Sequence, residues 1–419
     1  MKAQIRPCNA RATCEFTMNR QPANRRRYFT AAYGSVMQCL VYLPHSYSGR
    51  GPAESCVRIL AGFAEEGIDA HLHVVRARIP IPSQIQTHQS AGLIHRLLPW
   101  RFIGSSAIRR HSRAFAEAID RAPSDAIAYF WPNVPADLVL RARARGLVCV
   151  REMINSPLAT AKPLLDKAYA EAGIAPDHGL TDEMVARENE ELALHDYIFA
   201  SNPEVEAGLK RLGIPAQKIL PTSFGWDKAR FAARPAPPSK ARPFRACYVG
   251  TINVRKGVHE LLDGWNAAGI DGELWFAGSI DESLKKWFDE QIAADARITH
   301  FGHVDDIAAF YRQCDVFVFP THEEGGPQVT YEAASCGLPA VTTPMGAARL
   351  TRDGDTGIVI PVGDSEAVAT AFQRLSDDPV LCARLGENAE VAAAQFEYAV
   401  VGAQRAQLLK RCATRSTAD

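Results

Sequence analysis

No apolar run in this chain of 419 residues approaches the roughly 18 residues that a membrane-spanning helix requires. Net charge is missing as well. Lys plus Arg and Asp plus Glu stand at 47 each, so bulk electrostatics offers no argument for a nucleic-acid partner. The ten cysteines never form a C-x-x-C pair, and several sit inside apolar, strand-like stretches, Cys247 in RACYVG among them. That usage predicts reduced, buried thiols rather than a disulfide frame or a zinc site. A D-x-D metal motif at a strand end is also lacking: Asp305 and Asp306 read as the cap of a short helix, and no metal is expected. The N-terminal stretch holds Arg25, Arg26 and Arg27 but no hydrophobic segment suited to a signal peptide. Residues 1–36 are therefore expected to be a poorly ordered basic tail, or an over-extended start with Met37 as an alternative initiator. The expected location is the cytoplasm.

What is present is a chain too long for one hydrophobic core, with two domains the natural division. From Met37 onward, apolar strand-like runs alternate with helical periodicity. MQCLVYLP leads to a helix with Val57, Leu60, Ala61 and Ala64 on one face, then to the strand HLHVV. AIAYFW, a helix over 135–145 and LVCVREM repeat the pattern, as do DYIFAS and KILPTS. A proline-rich stretch, AARPAPPSKARP at 232–243, reads as a linker. The alternation then restarts with RACYVG, a helix over 257–268, GELWFAG, a helix over 284–294, ITHFG, a short helix near 307–313, DVFVFP, a helix over 328–336, PAVTT and GIVIP. Alternation of this kind implies parallel βαβ units. The expected fold is α/β, two tandem doubly wound Rossmann-like domains facing across a cleft, with ligands beyond the carboxyl ends of the strands. The expected divisions are 37–235, 236–395 and a C-terminal segment 396–419, whose helix over 396–412 would cross back to the N-terminal domain.

The richest segment is DVFVFPTHEEGGPQVTYEAASCGLPAVTTPMG, residues 315–346. An apolar strand runs into a glycine-containing loop and then a helix. Pro327 suits a first helical position, Gly325 and Gly326 admit a ligand close to the backbone, and the helix N-terminus with its free N–H groups suits a diphosphate. Glu324 precedes the helix and Glu332 lies about one turn inside it. Carboxylates are acceptor-only groups matched to the hydroxyls of a sugar or ribose. Taken alone, the two would be an N-terminal charge and a solvated helix residue; their setting between a buried strand, a Gly-Gly loop and the TTPMG turn argues for a site.

On these residues, EEGGPQVTYEAASCGLPAVTT resembles the E-x7-E signature of retaining glycosyltransferases of family 4, which have the two-domain GT-B fold. YVGTINVRKGVHELLDGW resembles the family's glycine–loop–Lys-Gly segment. ELWFAGS, ITHFGHV and DVFVFP are similar to its next strands, and ENEELALHDYIFASNPEVEAGLKRLG to the segment closing its first domain. The resemblance runs from about residue 37 to 412 and is specific in the C-terminal half. It implies an acceptor-side domain at 37–235 and a donor-nucleotide domain at 236–395. It assigns Glu324 to the transferred sugar, Glu332 to the ribose and Lys256 to the donor phosphates, where a point charge offsets the leaving group. Gly250, Thr251, Arg255, Gly325, Gly326, Pro327 and Gln328 complete the implied donor site. Thr251 stands where the family usually has an arginine, and Arg255 is the nearby cation that would compensate. Gly49, Arg50 and Gly51 resemble the family's glycine-rich turn after the first strand. After VCVREM the family often carries a histidine, which this chain lacks; Glu152 and Asn155 are the candidate replacements, and His45 is a further candidate whose expected role is structural.

The implied reaction is metal-independent transfer, with retention, from a nucleotide-diphosphate sugar serving as co-substrate, without a separate cofactor, to a glycan or lipid-linked acceptor in polysaccharide or glycolipid biosynthesis. A glycoside hydrolase would need carboxyl groups facing each other across a bond. A sugar-nucleotide epimerase would need no acceptor, and a non-catalytic nucleotide-sugar-binding protein would show no turnover; these remain the alternatives. Between Asp69 and Glu117 no acidic residue occurs, while Arg76, Arg78, Arg96, Arg101, Arg109, Arg110 and Arg113 do, interleaved with Trp100 and Phe102. That stretch suits peripheral contact with an anionic membrane surface or a lipid-diphosphate acceptor, and equally an ordinary solvated basic face.

Overall fold

Parallel strands can be joined only through crossovers, and the helical stretches of the sequence supply them. The computed structural model describes residues 36–92, 100–231 and 242–416. Nearly all of the basic tail and the expected linker, together with Arg96, lie outside the described residues. In the first half the elements are β1 (Met37–Tyr47), α1 (Gly51–Leu60), β2 (Ile68–Ala77), β3 (Gln86–Gln89), α2 (Trp100–Arg121), β4 (Ile127–Phe130), α3 (Ala136–Ala144), β5 (Val148–Met153), α4 (Leu158–Glu171), α5 (Asp182–Ala193), β6 (Tyr197–Ala200), α6 (Pro203–Arg211) and β7 (Ile219–Pro221). After a short α7 (Lys228–Phe231) come β8 (Phe244–Val249), α8 (Val258–Ala268), β9 (Gly272–Ala277), α9 (Lys285–Ala294), β10 (Ile298–His300), α10 (Ile307–Tyr311), β11 (Val316–Phe319), α11 (Gln328–Ser335), β12 (Ala340–Thr342), α12 (Pro344–Ala347) and β13 (Gly357–Val359). Helices α13 (Ser365–Asp377), α14 (Pro379–Ala393) and α15 (Tyr398–Ser416) end the chain.

The strands form two parallel sheets, ordered β3-β2-β1-β4-β5-β6-β7 and β10-β9-β8-β11-β12-β13. Both are doubly wound, as expected. Each reverses direction once, between β1 and β4 and between β8 and β11, and such switch points open a crevice at the strands' carboxyl ends. Central strands are apolar on both faces because helices cover both; all four residues of β4 and of β11 are buried. Helix starts follow local chemistry. Asn202, Asp306, Asp364 and Asp378 each accept a backbone N–H of the first turn, which confirms Asp306 as a cap.

Some elements were not expected. The edge strand β3, QTHQ, has no apolar alternation to betray it. Helices α4, α5, α13 and α14 fill stretches to which the sequence reading assigned nothing. Pro327 stands one residue before α11 as its cap rather than at the first helical position.

Two stretches join the halves side by side. Trp226 forms a parallel bridge with Glu397, and its indole N–H donates to the Ala393 carbonyl at 2.7 Å. A Cβ on Gly225 would lie 2.4 Å from the Phe396 carbonyl oxygen, so only glycine permits this crossing. Helix α15 then runs back along α1: a Cβ on Gly402 would lie 2.5 Å from the Ile59 carbonyl. Lys410 donates to the Glu66 carbonyl at 2.8 Å.

Candidate active site at the cleft

The loops after β8 and β11 flank the switch point of the second sheet and carry the residues on which the sequence reading converged. Gly257 is the hinge of their meeting. It adopts φ +73°, and a Cβ there would lie 2.0 Å from the Pro320 carbonyl, so the Lys-Gly pair can cross the end of β11 only with glycine. The two loops are then stitched together: the Arg255 carbonyl accepts the His322 N–H at 2.9 Å and the Thr321 hydroxyl at 3.1 Å. This brings the Lys256 ammonium into an ion pair with Glu324, 5.3 Å over the ring of Phe319. Burial, with the neighbouring charge of Arg255, lowers the Lys256 ammonium to about 7, while Glu323 pulls the other way. The cation is thus poorly hydrated, and its interactions with neighbouring charges are correspondingly strong.

Glu332 lies half-buried on α11. Burial raises its carboxyl to about 7, with Arg230 opposing and Asp227 adding to the rise. Gln328 donates to the Ser55 hydroxyl of α1 and accepts from Tyr398, each at 2.7 Å. Gly250 and Thr251 follow β8, and the Thr251 carbonyl accepts the Tyr248 hydroxyl at 2.7 Å. Gly49, Arg50 and Gly51 form the turn between β1 and α1, at the carboxyl end of β1 and four residues before Ser55. The half-buried His45 keeps its Nδ1 enclosed without a partner among the described residues.

Two expectations are corrected. Glu152 is not available to a ligand. It is fully buried and engaged by Arg405 of α15 and the Tyr129 hydroxyl; β5 turns this side chain away from the cleft and into the seam under α15. Gly325 and Gly326 make room for the chain's own first half rather than for an open ligand face. A Cβ on Gly325 would lie 2.2 Å from the Ile154 carbonyl, and one on Gly326 2.0 Å from Phe224. Arg255, the cation nearest Thr251, is held in place: its guanidinium pairs with Glu323 at 2.8 Å and donates to Asn155 Oδ1 at 3.2 Å.

Glu323 is the residue the sequence reading passed over. It is 2% exposed, and its second oxygen accepts the Ser156 backbone N–H at 2.9 Å and hydroxyl at 2.7 Å. The signal was the doublet Glu323-Glu324 at the mouth of an apolar strand, where a second carboxylate is costly unless paired. Ser201 and Asn202 add further bonds across the cleft, to the carbonyls of Gly325 at 2.8 Å and Met345 at 2.7 Å. The seam is tight at the glycine loop and loosens toward β12 and β13, where a cavity of about 350 Å³ opens between Thr160, Leu164 and Arg211 on one side and His322, Met345 and Val362 on the other.

Comparisons with known proteins agree with this geometry. Residues 243–378 match the family model Glycosyl transferases group 1. The capsular polysaccharide biosynthesis glycosyltransferase CapM of Staphylococcus aureus is 33% identical over 149 residues, 34% of this chain and 39% of that protein. The putative glycosyltransferase EpsD of Bacillus subtilis is 30% identical over 223 residues, 49% of this chain and 55% of that protein. The matched stretches thus span about half the length of these curated relatives or less. Among solved structures, sucrose-phosphate synthase from Thermosynechococcus elongatus superposes with TM-score 0.70 at 19% identity, over 90% of this chain and 99% of that one. Anabaena HepE in complex with UDP and glucose superposes with TM-score 0.64 at 18% identity, over 90% of this chain and 100% of that one. The chain therefore has the two-domain GT-B fold, and its residues 243–378 are similar to the glycosyl transferases group 1 family.

Proposed function

We propose that this protein is a retaining, metal-independent glycosyltransferase of the family 4 type. It would move a sugar from a nucleotide-diphosphate sugar to a glycan or lipid-linked acceptor in polysaccharide or glycolipid biosynthesis. The observation that carries the reading is the Lys256–Glu324 pair, buried at the sheet's switch point beside the N-terminus of α11, with Glu332 further along the same helix. The relative named for capsular polysaccharide biosynthesis, and HepE with its bound UDP and glucose, support the substrate class.

In this reading the donor diphosphate takes Lys256 and the free N–H groups of α11 as its partners, and Glu332 accepts from the ribose hydroxyls. Glu324, released from Lys256, faces the transferred sugar. As the bond from the anomeric carbon to the phosphate oxygen lengthens, negative charge grows on that oxygen, and Lys256 opposes it. The acceptor oxygen bonds to the anomeric carbon on the face the phosphate leaves, and the departing phosphate takes the acceptor's proton. No protein carboxylate serves as general base. The exposed Arg109, Arg110 and Arg113 of α2 would bring the first half to an anionic membrane from the cytoplasmic side. Sedimentation with anionic liposomes tests this, and binding unchanged when all three become Ser removes it.

A thermal-shift screen across UDP-, GDP- and ADP-sugars tests the donor class, because a ligand bound to the native state raises apparent stability by mass action. The anomeric configuration of the product, read by proton NMR with a chelator present, tests retention and metal independence together. An inverted product, or activity lost to the chelator, contradicts the mechanism. Nucleotide-sugar binding with no turnover on any acceptor would favour a non-catalytic binding protein.

A further inference from the structure

We propose that Glu323 is a positioning residue that holds Arg255 as the second cation of the diphosphate site, in place of the cation that Thr251 does not supply. The proposal rests on the reading of this cleft as a nucleotide-sugar site.

The backbone of Arg255 is fixed by the bonds of its carbonyl to Thr321 and His322, so what remains to be decided is where the long side chain points. Glu323 decides it. One carboxylate oxygen pairs with Arg255 Nε at 2.8 Å, and the Glu323 carbonyl accepts from the same Nε at 3.2 Å. Asn155 Oδ1 takes one N–H of Nη2 at 3.2 Å. The guanidinium is thereby set with Nη2 at 3.9 Å from Glu324 Oε2, beside the Lys256–Glu324 pair. A guanidinium has five N–H donors in a rigid fork. Both N–H groups of Nη1 are left without a hydrogen-bond partner among the described residues, and the side chain is 28% exposed. A planar, partly satisfied fork beside a buried lysine is suited to a second pair of phosphate oxygens.

The other oxygen of Glu323 receives both Ser156 donors from the first half of the molecule. A single carboxylate therefore ties the orientation of Arg255 to the docking of the 155–156 loop. When the halves separate, Glu323 loses two hydrogen bonds and Arg255 loses Asn155. The second cation is thus held from both sides only in the closed cleft, where transfer is to occur.

A purely architectural Glu323 would hold the halves together through Ser156 and act independently of Arg255. The two roles separate in a double-mutant cycle. Wild type, Glu323→Gln, Arg255→Gln, the double variant and Ser156→Ala are compared for kcat and donor KM, and for UDP, GDP or ADP binding by calorimetry. The expected result is a fall in kcat/KM of about tenfold to a hundredfold for Arg255→Gln and about tenfold for Glu323→Gln. The double variant should be no worse than Arg255→Gln, and Ser156→Ala should stay within about twofold of wild type. Multiplying losses in the double variant, or Ser156→Ala matching Glu323→Gln while Arg255→Gln is silent, overturns the proposal. Should Arg255→Gln fail to fold because Glu323 is stranded, Arg255→Lys, which keeps the charge but not the fork, takes its place in the cycle. A wild-type protein that binds none of the three nucleotides overturns instead the functional reading beneath.

Discussion

Glu324 and Glu152 are both buried carboxylates, each answered by a cation from a distant part of the chain, yet they belong to opposite kinds of site. Glu152 and Arg405 are both fully buried. The Tyr129 hydroxyl donates to Glu152, and Arg405 donates to the Ser223 carbonyl at 2.7 Å. The Arg405 guanidinium also sits 5.0 Å over Phe199 and 5.2 Å over Phe224. Nothing from solvent reaches that pair, and its effect is to fasten α15 to the first domain. Glu324 and Lys256 lie at the seam between the halves, between loops rather than under a helix and partly exposed, with Lys256 held near neutral titration. Similar ionic parts are architecture in one place and, in the proposed function, chemistry in the other; the difference in access is what separates them.

The largest effect should come from breaking the architectural pair alone. Arg405→Ala strands a carboxylate without solvent, and urea unfolding should show a loss of about 3–5 kcal/mol. Replacing both partners, Glu152→Leu with Arg405→Met, should recover most of it, because burying two charges is itself expensive. A single variant as stable as wild type would end the comparison. Lys256→Ala should do the reverse, lowering kcat about 10²- to 10³-fold at saturating donor while moving the unfolding midpoint less than Arg405→Ala does. Full activity in that variant would remove Lys256 from the chemistry.

The pH profile sharpens the contrast. In the proposed reaction Lys256 must be protonated to oppose charge on the leaving phosphate, and its value near 7 makes activity fall as pH rises beyond it. Glu332 must be ionised to accept ribose hydroxyls, and its value near 7 makes activity fall as pH drops below it. A bell in kcat/KM centred near neutrality should result, with about tenfold loss per pH unit on the alkaline limb and an acid limb that levels off at about tenfold, and Glu332→Gln should flatten the acid limb. Glu332→Ala should raise donor KM about tenfold with kcat near wild type, as expected for binding shared by ground and transition states. The smallest effect is expected from Tyr398→Phe. It removes the 2.7 Å bond to Gln328, costing about 1 kcal/mol in stability and leaving turnover within about twofold.

Much of this was legible in the chain. Strands such as VFVF and helices with a clean apolar face announce themselves through periodicity, because burial acts on each element's own residues. Glu324, Glu332, Lys256 and Gly257 were legible because loop, turn and helix start lie close together in sequence. What escaped depended on partners far away along the chain. Glu323 touches Ser156, 167 residues distant, and Arg405 touches Glu152 across 253; neither spacing leaves a local pattern. Glu152 was misread for the same reason: the resemblance offered it in place of the family's histidine, and only the position of α15 revealed that the side chain was already taken.

By itself, the sequence determined the alternation of strands and helices, the two-domain plan, and the grouping of cation, glycine and carboxylate around residues 250–257 and 320–332. Those depend on periodicity and on steric and capping rules that act within a few residues. The tertiary structure alone decided which carboxylates meet solvent and which meet an arginine, that the Gly325–Gly326 loop seats the opposite domain, and that Arg255 is held from both sides of the cleft. Burial and pairing are properties of the assembled surfaces, and the free energy of a charge depends on everything that surrounds it.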